Sequence, residues 1–124
     1  MPCILVVDDE RSLCELFEQF FASNEFKIVS FSDSEQALAW FREVPESIDL
    51  IITDQTMPRV TGVDLVLYVR TIRPELPIIM MTGFSEALDE ELALKIGANL
   101  FIRKPFCLDK MHSDVALLLA EDVV

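Results

Sequence analysis

Short apolar runs alternate with amphipathic stretches along the chain. The apolar runs are rich in β-branched residues and occupy residues 3–7, 26–31, 50–53, 77–81 and 100–103, and each has the length of a β-strand. After each run, apolar residues recur at the spacing of one helix face. These helical stripes are Leu13, Leu16, Phe17, Phe20 and Phe21; Ala37, Leu38 and Phe41; Leu65, Val66, Val69 and Ile72; Leu88, Leu92 and Ile96; and Met111, Val115 and Leu118. The pattern predicts five consecutive βα units.

Signals at the boundaries of these segments agree with that division. Ser32, with Glu35 three residues later, predicts a capping box at the start of the second helix. Gly97 follows the fourth stripe, where many helices end in a residue with left-handed backbone. No long stretch rich in Gly, Pro or Ser interrupts the pattern, so we expect one domain over residues 1–124 with its core at about residues 3–119.

Alternating strands and helices with continuously apolar strands are typical of a parallel sheet that is covered by helices on both faces. We therefore expect an α/β fold, a single doubly wound (βα)5 domain with the flavodoxin-like strand order 2-1-3-4-5. A closed barrel of this type needs eight such units, more than the chain contains.

The net charge of the chain disfavours anionic partners. The 124 residues carry a net charge of -12 at pH 7, which opposes binding to nucleic-acid phosphates and to anionic lipid. No apolar run is long enough to span a bilayer, so we expect no direct membrane contact.

Three cysteines, Cys3, Cys14 and Cys107, lack the paired spacing of a zinc site or a disulfide framework. We interpret them as small buried apolar residues in a reducing cytoplasm.

Polar residues follow the central strands of the predicted sheet. Asp8 and Asp9 follow the first strand, Asp54 the third, Thr82 the fourth and Lys104 the fifth. Ligands of doubly wound folds bind beyond these carboxyl ends. Three converging carboxylates repel one another unless a cation neutralises them, and carboxylates with water and a phosphate oxygen are the usual ligands of Mg²⁺. The sequence therefore predicts a magnesium site here.

This combination favours phosphoryl transfer. A carboxylate beside Mg²⁺ is a nucleophile that can form an acyl phosphate, and Lys104 supplies a positive charge suited to a phosphoryl oxygen. The hydroxyl of Thr82 can donate a hydrogen bond to the phosphoryl group once it is attached.

The motifs at these positions resemble the receiver domain of two-component response regulators. The resemblance runs from Ile4 to about Leu119. It is carried by I-L-V-V-D-D-E at residues 4–10, D-Q-T-M-P-R-V-T-G at 54–62, M-T-G at 81–83 and G-A-N-L-F-I-R-K-P-F at 97–106.

The resemblance implies a role for each site residue. Asp54 would be the phosphoacceptor, and Asp8, Asp9, Asp54 and the backbone carbonyl of Thr56 would form the Mg²⁺ site. Lys104 would bind the phosphoryl group, Thr82 and Phe101 would form a coupled switch, and the peptide bond before Pro105 would be cis. Phe84 and Thr56 stand where side chains influence phosphoryl lifetime, and Phe101 stands where many relatives carry tyrosine.

The resemblance also implies partners. The phosphoryl donor would be a histidine kinase or a histidine phosphotransfer protein, and phosphorylation would change the surface of the fourth helix, fifth strand and fifth helix. That surface could also form a homodimer. The domain would catalyse its own phosphorylation and dephosphorylation without being a turnover enzyme, and we expect it in the cytoplasm.

Several alternatives stay open at this point. The run D-Q-T-M-P-x-x-T-G and the later I-R-P-E-L-P-I-I and M-T-G-F-S-E resemble receiver domains at the C-termini of hybrid sensor histidine kinases. A free-standing receiver, or the front half of a regulator with an output domain, is also open. The rival functions are a degenerate receiver that acts only as a protein-interaction module and, more remotely, a Mg²⁺-dependent phosphatase that forms an aspartyl phosphate.

Overall fold

The computed structural model describes residues 1–22, 25–83 and 90–121. The strands are β1 (Cys3–Val7), β2 (Lys27–Phe31), β3 (Leu50–Asp54), β4 (Ile78–Thr82) and β5 (Leu100–Arg103). The helices are α1 (Arg11–Phe21), α2 (Ser34–Glu43), α3 (Gly62–Ile72), α4 (Glu90–Ile96) and α5 (Leu108–Glu121), with a short 3₁₀ helix at Pro45–Ser47.

The five strands form one parallel sheet in the order β2-β1-β3-β4-β5, so the predicted fold is confirmed. All residues of β1, β3 and β4 are buried, whereas those of β2 and β5 are partly exposed. This difference follows from their positions, because the outer strands have a neighbour on one side only. The core lies in two layers: α2, α3 and α4 cover one face of the sheet, and α1 and α5 cover the other.

The start of α2 differs from the prediction. The helix is capped by Asp33, whose Oδ1 accepts hydrogen bonds from the backbone N–H groups of Glu35 and Gln36 at 2.9 and 3.3 Å. The predicted cap at Ser32 is wrong, because the helix begins one residue later than that cap requires. A capping box is present at α3 instead, between Thr61 and Asp64.

The buried face of α4 also differs from the predicted stripe. Ala93 is fully buried and Ile96 packs against the same core layer, whereas Leu92 is 46 % exposed. Leu88, the first residue of that stripe, lies outside the described residues. The helix therefore contacts the sheet through a small residue, which lets its backbone approach closely.

Gly97 ends α4 as predicted, with a positive φ of 125°. The N–H groups of Gly97 and Ala98 donate to the carbonyls of Leu94 and Ala93, the hydrogen-bond pattern of a Schellman motif. The guanidinium of Arg70 on α3 donates to the carbonyl of Gly97, so the end of α4 is tied to α3.

Two of the cysteines are buried as expected, but Cys107 is exposed. It lies directly before α5, and its carbonyl accepts the N–H of Met111 in the first turn of that helix. No helix in the described ranges is both long and apolar enough to cross a bilayer.

Candidate functional site

Residues at the ends of four strands, or directly after them, lie at one edge of the sheet. Asp8 follows β1, Asp54 and Thr82 are the final residues of β3 and β4, and Lys104 follows β5. The backbone N–H of Lys104 donates to the carbonyl of Thr82 at 2.8 Å, which continues the pairing of β4 and β5 past the end of β5. Hydrogen-bonded strand backbone therefore positions Thr82 and Lys104 next to each other.

Three carboxylates converge at this edge. Asp8, Asp9 and Asp54 each present one oxygen, and these three oxygens lie within 4.8 Å of one another. Asp8 and Asp54 are buried, with 0 % and 4 % of their surface exposed, whereas Asp9 is exposed. Hard oxygen ligands at this spacing fit Mg²⁺, and the exposed side of Asp9 leaves room for the waters that this ion retains.

Lys104 reaches the same cluster from β5. Its Nζ lies 2.9 Å from Oδ2 of Asp8 and 3.3 Å from Oδ1 of Asp54. The peptide bond between Lys104 and Pro105 is cis, as the resemblance implies. One ammonium therefore faces two buried carboxylates.

The burial of these groups changes their acidity. Burial raises the pKa of Asp8, and the hydrogen bonds that it accepts from Lys104 and from the N–H of Glu10 offset only part of that effect. Burial acts to lower the pKa of Lys104, but the hydrogen bond to Asp8 and the charges of Asp8 and Asp54 outweigh it, so the pKa is raised. Three carboxyl groups thus face one ammonium, an imbalance of charge that a divalent cation would relieve.

Thr82 lies in a fully buried position beside this cluster. Its Oγ1 has no hydrogen-bond partner among the residues that the structure describes. A buried hydroxyl without a partner is costly, so this atom is poised to donate when an acceptor is placed near it.

Phe101 is partly buried against the core layer under α4. The strand register pairs Met80 with Phe101 and Thr82 with Arg103. Side chains two residues apart on a strand share a face, so Thr82, Phe101 and Arg103 lie on the same face of the sheet.

Thr56 lies in the loop after β3, two residues beyond Asp54, and is exposed. Sequence reasoning assigned no role to Gly62 in the same loop. A Cβ at that position would lie 2.5 Å from the carbonyl oxygen of Asp54 and 2.9 Å from Cα of Gln55, so only glycine permits this approach. The Thr-Gly pair that closes the motif at residues 54–62 was the available signal.

Phe84, expected to tune phosphoryl lifetime, lies outside the described residues. The structure thus brings together Asp8, Asp9, Asp54 and Lys104, with Thr82 beside them.

Comparisons with known proteins agree with this geometry. Residues 4–116 match the response regulator receiver domain. The chain belongs to this family. It is a phosphoacceptor domain of two-component signalling, and receiver domains interact with histidine kinases or phosphotransfer proteins and generally bind Mg²⁺ in an acidic pocket.

Curated relatives include transcriptional regulatory proteins. The chain is 36 % identical over 106 residues to the transcriptional regulatory protein CpxR of Klebsiella pneumoniae, which covers 86 % of this chain and 44 % of that protein. It is 32 % identical over 116 residues to the alkaline phosphatase synthesis transcriptional regulatory protein PhoP of Bacillus subtilis, covering 94 % of this chain and 48 % of that protein. The chain therefore spans about half the length of the curated relatives that it matches.

Solved structures share the fold over nearly the whole receiver. A response regulator receiver domain protein from Clostridium thermocellum superposes with a TM-score of 0.91 at 28 % identity, covering 98 % of this chain and 97 % of that one.

Proposed function

We propose that Asp54 of this receiver accepts a phosphoryl group from a phosphohistidine. The observation that carries the proposal is the convergence of three carboxylate oxygens within 4.8 Å, with the ammonium of Lys104 at 3.3 Å from Asp54 Oδ1. In the transfer, an oxygen of Asp54 bonds to phosphorus and the P–N bond of the phosphohistidine breaks. Its electron pair stays on the imidazole nitrogen, which takes up a proton. The product is an acyl phosphate on Asp54.

We assign Asp9, Asp54 and the backbone carbonyl of Thr56 as the direct ligands of Mg²⁺, with Asp8 assisting through water. When bound, Mg²⁺ neutralises the carboxylates and the phosphoryl oxygens as charge develops. Lys104 moves from Asp54 to a phosphoryl oxygen while Asp8 keeps its position. The arrangement supplies positioning and neutralisation, which are the main requirements of phosphoryl transfer.

Thr82 and Phe101 form the switch that responds to the phosphoryl group on Asp54. A phosphoryl group adds acceptor oxygens at Asp54, and the buried Thr82 Oγ1 turns toward them. Phe101 fills the space that Thr82 leaves, and the surface of α4, β5 and α5 changes as a result. We assign the tuning of the acyl-phosphate lifetime to Phe84 and Thr56, and the domain hydrolyses the acyl phosphate itself.

The donor is a histidine kinase or a histidine phosphotransfer protein of the cytoplasm, where response regulators typically act. A homodimer through α4, β5 and α5 is a further proposal. Nucleic acid is not a ligand of this domain, because its charge of -12 repels phosphates.

Residues 1–124 form one receiver domain with its core at about 3–119, and the match over residues 4–116 supports this division. A DNA-binding output half, or a hybrid histidine kinase upstream, would belong to a longer chain.

The test is phosphorylation of the purified domain by acetyl phosphate with Mg²⁺, followed by intact mass. Wild type should gain one phosphoryl group, and Asp54→Asn should gain none. Asp114→Asn is the matched control, because it removes a carboxylate on α5 that pairs only with the exposed Lys110 within the described residues. Equal labelling of Asp54→Asn would contradict the assignment. A folded wild type without any adduct would favour the protein-interaction module.

A further inference from the structure

The ring of Phe101 is covered by a cation from its own strand. The guanidinium carbon of Arg103 lies 5.1 Å from the centroid of the Phe101 ring, within the range of a cation–π contact. Arg103 is exposed, whereas Phe101 is partly buried. Both side chains project from the same face of β5, so the contact is a direct consequence of their spacing.

The same face holds the hydroxyl that the proposed switch moves. Thr82 pairs with Arg103 in the register of β4 and β5, and its Oγ1 has no hydrogen-bond partner within the described part of the chain. When Thr82 turns toward a phosphoryl group at Asp54, the space beside it opens toward Phe101. A ring that moves into that space leaves the guanidinium behind.

We propose that Arg103 is a positioning residue that latches Phe101 in the conformation seen here. This latch would set the equilibrium between the two conformations of the switch. The inference rests on the proposed switch of Thr82 and Phe101. A contact made in one conformation only shifts the equilibrium toward that conformation. At an exposed site such a contact changes the equilibrium about two- to fivefold.

The latch and simple electrostatics make opposite predictions. Arg103 is adjacent to Lys104, so its positive charge also attracts a phosphoryl donor or an anionic analogue. If charge alone mattered, removal of Arg103 would weaken binding of the analogue. If the latch operates, removal releases Phe101 and tightens binding. The sign of the effect separates the two.

The experiment titrates the whole domain with beryllofluoride in saturating Mg²⁺ and follows the amide signal of Thr82 by NMR. Arg103→Met keeps an unbranched side chain and removes the cation, and it should lower the half-saturating concentration about two- to fivefold. Arg103→Lys keeps the charge but lacks the planar guanidinium, and its half-saturating concentration should fall between those of Arg103→Met and wild type. Arg42→Met is the matched control, because the Arg42 guanidinium lies 5.9 Å from the Tyr68 ring, away from the switch, and it should leave the titration unchanged.

A double-mutant cycle assigns the effect to the ring. In a Phe101→Leu background, Arg103→Met should no longer tighten binding, because no ring is left to latch. Equal tightening in both backgrounds, no change, or weaker binding in Arg103→Met would overturn the latch. Labelling of wild-type Asp54 by acetyl phosphate is measured in parallel. If wild type is labelled and titrates but Arg103→Met does not tighten, the latch alone fails; if wild type is not labelled, the proposed function fails and the latch fails with it.

Discussion

Lys104 determines how the charge at the strand ends is balanced. Its ammonium contacts the carboxylates of Asp8 and Asp54, whose side chains are only 0 % and 6 % exposed. Removing an ion from water costs several kcal/mol even after the protein relaxes. Because the pKa of Lys104 is raised, the ammonium keeps its positive charge at neutral pH.

Replacing Lys104 should therefore destabilise the metal-free domain. We expect Lys104→Met to lower the free energy of unfolding by about 2 kcal/mol, less than the loss of a fully buried partner because the lysine is partly exposed. Mg²⁺ should restore more stability to this variant than to wild type, since the ion takes over the neutralisation. Urea denaturation with and without Mg²⁺ is the measurement.

Lys110→Met is the control for that experiment, because Lys110 forms an exposed pair with Asp114 one turn along α5. We expect it to change stability by less than about 0.5 kcal/mol. A Lys104→Met variant as stable as Lys110→Met would contradict the charge balance described here.

At the scale of elements, helix ends connect the site to the scaffold. The cap residue of α2, Asp33, also lies 3.2 Å from the guanidinium of Arg59 in the loop between β3 and α3. Ser34, the first residue of α2, donates from its hydroxyl to the carbonyl of Pro58 in the same loop. The start of α2 is therefore connected by an ion pair and a hydrogen bond to the loop that contains Thr56.

The position of this cap can be tested by substitution. Asp33→Ala should lower the thermal midpoint by a few degrees, because the backbone N–H groups of Glu35 and Gln36 lose their acceptor. Ser32→Ala should have little effect, and Asp33→Asn should retain most of the cap. The reverse order for Asp33→Ala and Ser32→Ala would show that Ser32 caps the helix after all.

The effect of Asp33→Ala should also depend on pH. Desolvation acts to raise the pKa of Asp33, but hydrogen bonds from the N–H groups of Gln36 and Glu35 and the charge of Arg59 outweigh it, so the pKa is lowered from 3.8. A carboxyl group whose folded pKa is lowered stabilises the fold above its unfolded pKa. This contribution disappears as the pH falls through the folded value. The difference between wild type and Asp33→Ala should therefore be constant above pH 3.8 and shrink below it.

For the molecule as a whole, acidic residues outnumber basic ones, 22 to 10. The net charge is -12, and three carboxylates meet at one edge of the sheet. A cation that binds only the folded state stabilises it by mass action. The metal site thus couples local chemistry to global stability.

Millimolar Mg²⁺ should raise the thermal midpoint at neutral pH. At ten times the dissociation constant the expected stabilisation is about 1.4 kcal/mol. Asp9→Asn should lose most of this shift, whereas Asp114→Asn should keep it, and NaCl at matched ionic strength controls for screening. The absence of a specific shift, together with metal-independent phosphorylation, would contradict the site.

Much of the architecture followed from local pattern. Strand length and helical period are properties of neighbouring residues, and right-handed crossovers leave few ways to assemble five βα units. The order of the sheet was therefore predictable, and with it the edge where Asp8, Asp54 and Lys104 meet. The roles of these residues in phosphoryl transfer stay predictions until they are tested.

Other features depended on contacts between distant segments. Packing decides that Ala93 rather than Leu92 faces the core and that Cys107 is exposed, because each depends on how a helix sits on the sheet. The fit of Gly62 against the carbonyl of Asp54 and the cover of Arg103 over Phe101 are of the same kind. Hydrophobic period and turn residues along the chain were enough to predict which elements form, since these are properties of neighbouring residues. Which side chains touch across the fold could be read only from the folded chain, because such contacts are set by the close packing of distant segments.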